Sequence, residues 1–169
     1  GLGGTAVGRP YGGGNYSVSN TGTLAWTYST SSRISDVAIS GADGHRLLTD
    51  LNGDLRAKRT LAKVEEIWTE SSFDGRRVQS WVVFPPDFDA SKTYPLLVEN
   101  HGGPVSNYGD RFSAEMQLYA SAGYVVLYPN PRGSTGYGEE FANLLYLNYP
   151  GQDYDDVMSA VDDVIARGY

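Results

Sequence analysis

The first sixty residues alternate between apolar and polar positions in short runs, the pattern of half-buried antiparallel strands. Four such runs follow one another, namely Tyr16–Ser19, Thr23–Tyr28, Asp36–Ser40 and Arg46–Thr49. The segment Gly41-Ala42-Asp43-Gly44 has the composition of a hairpin turn and joins the last two runs. We therefore predict a four-stranded meander, which is the unit of a β-propeller blade. A single blade cannot bury both of its faces, so this prediction implies neighbouring blades.

The pattern changes after residue 60. Residues 52–63 lose the strand alternation and are expected to form a connection. Ile67–Phe73 and Arg77–Phe84 resume the alternation on either side of the turn Asp74-Gly75, which predicts a second hairpin.

From Tyr94 onwards, short apolar runs alternate with helical patterns. Leu96–Asn100 and Tyr124–Tyr128 have the length and composition of buried strands, and Pro129 is expected to end the second one. Arg111–Ala122 and Tyr154–Arg167 carry apolar residues at helical spacing. Strand, helix, strand and helix in this order predict parallel α/β winding, with a further buried strand expected next. The predicted fold class is thus α/β, preceded by an all-β segment, with domains at residues 1–60 and 61–169.

The composition excludes several classes of function and of binding site. The 169 residues are 40% hydrophobic and carry a net charge of −7, and no apolar run approaches the ~18 residues of a membrane helix. Without a basic cluster, nucleic acid and membrane are not expected as partners. Cysteine is absent, which rules out disulfides and thiolate metal sites. Gly1 and Tyr169 are both interpreted as positions within a longer protein and not as its natural termini.

The segment His101-Gly102-Gly103-Pro104 directly follows a predicted buried strand. In parallel α/β folds, ligands gather at the carboxyl ends of strands. Two glycines there leave backbone N–H groups open to a developing oxyanion, as acyl transfer requires. Taken alone, the two glycines favour a tight turn with a surface histidine over an oxyanion loop.

The segment Asn130–Gly138 follows the next predicted strand and opens a long connection to Gln152. Its glycines suggest a phosphate loop, but the lysine-serine ending of that motif is absent. Ser106 and Ser134 are loop serines for which the sequence offers no partner base, so neither is expected to be a nucleophile. The acidic residues near Asp153–Asp156 and at Asp162 and Asp163 lack the spacing of a calcium loop and are interpreted as a solvated helix face.

Together, five segments resemble the prolyl oligopeptidase family of serine peptidases, in particular its acylaminoacyl-peptidase and bacterial dipeptidyl aminopeptidase branch. They are Trp81–Phe88, Tyr94–Val98, His101–Pro104, Asn130–Gly138 and Asp153–Val157. The resemblance implies that residues 1–60 are a terminal propeller blade. It also implies that residues 61–169 are the N-terminal half of an α/β-hydrolase domain, truncated before the nucleophile elbow.

The resemblance also implies the site residues. Gly103, with its neighbour Gly102, would supply the oxyanion donor, and His101 would shape the loop. Arg132 and Tyr137 would lie near the substrate. No Gly-x-Ser-x-Gly elbow occurs in the chain, so the Ser, Asp and His of the triad are expected outside it, and the chain alone is expected to be inactive.

The expected partners are a short peptide substrate and the remaining segment of the same protein, with no metal or organic cofactor. Open sheet edges also predict self-association, so a homo-oligomer is among the expected assemblies. Two other functions stay open: a noncatalytic binding protein with a degenerate hydrolase fold, and an esterase of the same fold. A preceding propeller blade argues against a simple esterase.

Overall fold

The structure is a computed structural model that describes residues 16–42 and 44–169 and the backbone of residues 5 and 6. Asp43, in the predicted turn, lies outside the described residues. The chain divides into two compact units. One contains the described residues up to Leu61 together with Gly109–Ala114, and the other contains Ala62–Tyr108 and Glu115–Tyr169.

The first unit is an antiparallel sheet. Its strands are β1 (Thr5–Ala6), β2 (Tyr16–Val18), β3 (Leu24–Thr30), β4 (Arg33–Gly41) and β5 (Gly44–Leu47). Strands β2 to β5 pair consecutively, which confirms the predicted meander, and β1 adds to β3 beyond the end of β2. Helix α1 (Gly53–Lys58) lies in the segment that the sequence predicted to be a plain connection.

The apolar core of this first sheet is small. Among the described residues of the unit, only Trp26 and Ala38 are buried apolar side chains, and they face each other across β3 and β4. Successive residues of a strand point to opposite faces of the sheet. With only this small core, most of the surface of the first sheet is not covered by apolar side chains.

The second unit is a mixed sheet with helices on both faces. Its strands are β6 (Val64–Glu70), β7 (Arg77–Val83), β8 (Leu96–Val98) and β9 (Val125–Asn130), and its helices are α2 (Ala114–Ser121), α3 (Glu139–Asn143) and α4 (Asp153–Ala166). The strand order is β6-β7-β9-β8, with the β6–β7 and β7–β9 pairs antiparallel and the β8–β9 pair parallel. The predicted hairpin and the predicted parallel α/β winding are both present.

Strand β9 is the centre of the second unit, and all six of its residues are buried. Val126 and Tyr128 pack on the face covered by α2, whereas Val125 and Leu127 pack on the face covered by α4. Because both faces are covered, the strand is apolar at consecutive positions instead of alternating.

Several predicted boundaries are wrong. Strand β6 runs over Val64–Glu70 instead of Ile67–Phe73, and strand β8 ends at Val98 instead of Asn100. Two further differences, at α2 and β9, have an identifiable cause. Helix α2 begins at Ala114 instead of Arg111, because the Phe112 amide donates to Ser29 Oγ at 3.1 Å and so holds this segment in the first unit. Strand β9 continues through Pro129 to Asn130. The amides of Val125 and Glu99 bond across the β8–β9 pair, so the missing N–H of Pro129 would point to the β8 side, beyond the end of that short strand.

No helix in the described ranges combines the length and the apolar character needed to cross a membrane.

Candidate active site

Two loops leave the same edge of the second sheet, because β8 and β9 are parallel neighbours that run in the same direction. The first loop is residues 101–108 and the second loop is residues 131–138. A cavity of about 280 Å³ opens beside them, at the amino end of α4. Its lining includes Gly103 and Pro104 of the first loop, Arg132 of the second loop, and Asp153 and Tyr154 of α4. The cavity therefore lies where parallel α/β folds bind ligands.

Gly103 adopts a backbone conformation that favours glycine. Its φ is +132°, and a Cβ atom there would lie 3.1 Å from the amide nitrogen of Val105. Gly102 has open space around the corresponding position, and both glycines are exposed. The backbone conformation thus favours glycine at position 103, and Gly103 itself lines the cavity.

His101 connects the two loops. Its Nε2 atom lies 3.0 Å from Ser134 Oγ, and its ring packs edge-on against the ring of Tyr108. The Ser134 hydroxyl donates to the carbonyl of Pro131 at 2.6 Å, so we assign the proton of the 3.0 Å bond to His101 Nε2. His101 thereby holds the first loop against the second.

The sequence-based statement that Ser134 has no partner base is wrong, because the fold brings His101 to it. Ser134 is nevertheless fully buried, and its only proton is engaged by Pro131. A nucleophile must be both accessible and deprotonated by its base, so this serine–histidine pair is a loop contact.

Arg132 is almost completely buried and forms a cluster of ion pairs. Its Nε and Nη2 atoms bind the two carboxylate oxygens of Asp156 at 2.9 and 2.8 Å. Nη2 also contacts Asp74 at 3.0 Å and Ser71 Oγ at 3.2 Å, and the guanidinium lies over the ring of Phe73. The hydrogen bond to Asp156 raises the pKa of Arg132. The guanidinium predicted to bind substrate is thus engaged within the protein, and it fixes one wall of the cavity.

Tyr137 is also engaged within the protein. Its hydroxyl accepts a hydrogen bond from Asn130 Nδ2 at 2.6 Å and donates to Gln79 Oε1 at 2.5 Å. Burial raises the pKa of the phenol, and its ring packs against Phe141. The structure therefore brings Arg132 and Tyr137 into the second loop and its supports. Arg132 lines the cavity, and the head groups of both residues are bonded within the protein.

Asp156 is the functional-site residue that sequence reasoning misjudged most clearly. The interpretation as part of a solvated helix face is wrong for this residue, which is fully buried. It lies four residues before Ala160 and eight before Val164, and both of these are fully buried on the inner face of α4. That helical spacing was available in the sequence and would have placed its carboxylate in the interior.

Asp74 leads to a prediction about pH. Partial burial alone would raise its pKa, but hydrogen bonds from Arg132 and from the Arg76 backbone outweigh this and lower the pKa. Its stabilising contribution is therefore present above the unfolded-state pKa of about 3.9 and is lost as pH falls through the lower folded-state value. We expect D74N to reduce the loss of stability between neutral pH and about pH 2, as measured by thermal unfolding.

Asp162 provides the control for this measurement. It is exposed and has no ion pair among the described residues, so D162N is expected to retain the wild-type dependence on pH. A wild-type pH dependence in D74N would contradict the role given to Asp74.

In the part of the chain that the structure describes, no group of three or more His, Cys, Asp or Glu side chains is arranged to hold a metal ion. Two acidic residues of α4 form ion pairs, Asp156 with Arg132 and Asp163 with Arg167, and Asp163 also accepts a hydrogen bond from Thr69.

Comparison with known proteins identifies relatives of this arrangement. Residues 110–169 match the model of the prolyl oligopeptidase family. An uncharacterised peptidase of Bacillus subtilis, YuxL, is 44% identical over 120 residues, which cover 71% of this chain and 18% of the relative. A probable dipeptidyl-peptidase 5 of Aspergillus terreus is 42% identical over 96 residues, or 54% of this chain and 13% of the relative.

A solved structure shares the fold. The acylaminoacyl peptidase of Pyrococcus horikoshii superposes with a TM-score of 0.82 at 28% identity, covering 91% of this chain and 24% of that protein. The chain thus spans less than a fifth of the two curated relatives and about a quarter of the solved structure. The chain belongs to the prolyl oligopeptidase family of peptidases.

Proposed function

We propose that the protein is a serine-type peptidase that hydrolyses short peptides through an acyl-enzyme, and that this chain contributes its oxyanion loop. The proposal rests mainly on one observation. The exposed pair Gly102 and Gly103 lies at the carboxyl end of β8, beside the cavity, with Gly103 in a conformation that favours glycine. The family membership supports the same chemistry.

In this proposal, the loop acts on the tetrahedral intermediate. The backbone N–H of Gly103 donates to the oxyanion that forms when the substrate carbonyl is attacked, with Gly102 as its neighbour. A fixed donor stabilises the charge as it develops, without reorganisation at the moment of reaction. His101 keeps the loop in place through its bond to Ser134. The serine, aspartate and histidine of the triad come from polypeptide outside these 169 residues, and the chain alone is inactive.

The two units fit the two parts of such an enzyme. We assign residues 1–60 to a terminal propeller blade and residues 61–169 to the first half of an α/β-hydrolase domain. The blade assignment is supported by the meander and its small core, which calls for neighbouring blades. The hydrolase assignment is supported by the antiparallel start of the second sheet, its parallel β8–β9 pair and the helices on both faces.

The relatives suggest the substrate class. Dipeptidyl-peptidase 5 and acylaminoacyl peptidase are named for removing a dipeptide and an acylated amino acid, respectively. We propose short peptides as substrates on this basis. In this proposal, Arg132 and Tyr137 shape the wall of the cavity and do not contact the substrate directly. The partner of the chain is then the remaining segment that carries the triad, and a homo-oligomer is the proposed assembly.

A substrate panel tests this function. The full-length protein that contains this chain is incubated with dipeptidyl anilides, acylaminoacyl anilides and short-chain aryl esters. Hydrolysis of the anilides is expected, because a peptidase must cleave an amide. Cleavage of esters alone would indicate an esterase, and cleavage of none of them, together with peptide binding, would indicate a noncatalytic binding protein.

A further inference from the structure

Asn130, the last residue of β9, is fully buried and binds the backbone of the first loop at two points. Its Oδ1 atom accepts from the amide of Tyr108 at 2.8 Å, and its Nδ2 atom donates to the carbonyl of Tyr108 at 3.1 Å. A side-chain amide that satisfies both backbone groups of one residue takes the place of a strand neighbour. The end of the first loop is thereby fixed to the end of β9.

The orientation of the Asn130 amide is itself determined by neighbouring groups. Its Nδ2 atom also donates to the Tyr137 hydroxyl, whose own proton goes to Gln79 on β7. A flipped amide would bring its oxygen to the Tyr108 carbonyl and its NH₂ group to the Tyr108 amide, with a loss of both bonds. Tyr137 and Gln79 thus support Asn130 from behind.

Tyr108 links this clamp to the predicted site. Its ring packs against the ring of His101 at a centroid distance of 5.1 Å and against Tyr128 of β9 at the same distance. Further along, the Thr135 amide donates to the Ser106 carbonyl at 2.8 Å. The first loop is therefore fixed at its beginning by His101, in its middle by Ser106 and at its end by Tyr108, each time through the second loop or β9.

We propose that Asn130 is a positioning residue for catalysis: its clamp on Tyr108 sets the conformation in which the first loop presents the Gly103 amide. This inference rests on the proposed function, because it concerns the same loop. Asn130 is not part of the cavity lining, and it acts through Tyr108 and His101. Small errors in the position of a reacting group can cost about 100-fold in rate, so the effect is on turnover.

Gln117 offers a matched control within the same unit. It is also buried, and its amide makes the same two-point clamp: Oε1 accepts from the Ala62 amide at 2.7 Å, and Nε2 donates to the Ala62 carbonyl at 3.2 Å. Its clamp ties α2 to Ala62 at the start of the second unit, and neither of its two bonds goes to the first or the second loop. N130L and Q117L therefore each remove a two-point clamp on one backbone residue. N130L also removes the bond to Tyr137, and only N130L releases the first loop.

The test compares both variants in the full-length protein, with a dipeptidyl anilide as substrate. We expect N130L to lower kcat by about 10- to 100-fold with KM changed less than about threefold. Affinity for a peptide boronate, which mimics the tetrahedral intermediate, should fall in parallel with kcat. Q117L should lower the melting temperature to a similar extent and keep kcat within about twofold. Equal losses of kcat in the two variants would overturn the proposal.

Hydrogen exchange separates this proposal from the proposed function. Amides of residues 102–108 should exchange about tenfold faster in N130L and at the wild-type rate in Q117L. An unchanged exchange rate in N130L overturns the clamp, whatever the activity. If the wild-type protein hydrolyses no substrate, the proposed function and its catalytic positioning fall, while faster exchange still shows that Asn130 holds the loop.

Y137F is the milder variant should N130L fail to fold. It retains both bonds to Tyr108 and removes only the hydroxyl that orients the amide, so we expect a loss of kcat between those of the wild type and N130L. Wild-type kcat and wild-type exchange in Y137F would count against the proposal.

Discussion

Replacing Gly103 with alanine is expected to lower kcat of the full-length protein by about 100-fold or more, with a much smaller change in KM. The added Cβ would lie 3.1 Å from the Val105 amide nitrogen, and φ of +132° is unfavourable for any other residue. The loop must therefore shift, and the amide proposed to donate to the oxyanion moves with it. Loss of one oxyanion donor typically costs about 100- to 1,000-fold in kcat.

Gly123 provides the control for backbone strain. It ends the turn after α2 with φ of +95°, and a Cβ atom would have open space there. G123A thus introduces a comparable conformational cost, of order 1 kcal/mol, at a position remote from both loops. We expect a lower melting temperature and wild-type kcat for G123A. Wild-type kcat in G103A would contradict the role of the first loop.

Replacing Arg132 with methionine is expected to destabilise the second unit by about 3–5 kcal/mol, because Asp156 would remain buried without a counter-charge. The carboxylate of Asp156 has no exposed surface, and it also accepts from the Arg132 backbone amide at 2.7 Å. Native-state hydrogen exchange of the β9 amides measures this loss within the second unit, even in a protein with several domains.

Two further variants show whether the loss comes from the buried charge. The double variant R132M/D156L removes both charges and should recover a large part of the stability, since buried ion pairs can be replaced by apolar residues at little cost. R167M breaks the exposed Arg167–Asp163 pair on the same helix and should cost at most about 0.5 kcal/mol. Equal losses in R132M and R167M would contradict the assignment of Arg132 to a buried cluster.

The sequence predicted the elements whose pattern is local. Trp26 and Ala38 lie on strands that the alternation predicted, whereas the register that pairs them depends on a β-bulge between Tyr28 and Thr30 that the pattern does not show. Apolar runs at consecutive positions predicted the strands that are covered on both faces, and two glycines after one of them predicted where the first loop would lie. Each of these signals is contained in a few neighbouring residues.

The contacts that fix the site are not local, and the sequence did not predict them. Asn130 and Tyr108 are 22 residues apart, and Arg132 and Asp74 are 58 residues apart. The sequence separation of such a pair does not distinguish it from pairs that make no contact, because chain segments of these lengths can close in many ways. The first residues before α2 were also misassigned, since the hydrogen bond from Phe112 to Ser29 overrides their helical pattern.

The most direct test of the account is labelling of the full-length protein with a fluorophosphonate probe, followed by mass spectrometry of its peptides. The probe reacts with an activated serine. We predict one adduct, on a serine outside these 169 residues, and strongly reduced labelling in G103A. An adduct on Ser134 or Ser106, or no adduct in a folded wild-type protein, would contradict the claim that this chain supplies the oxyanion loop of a serine peptidase.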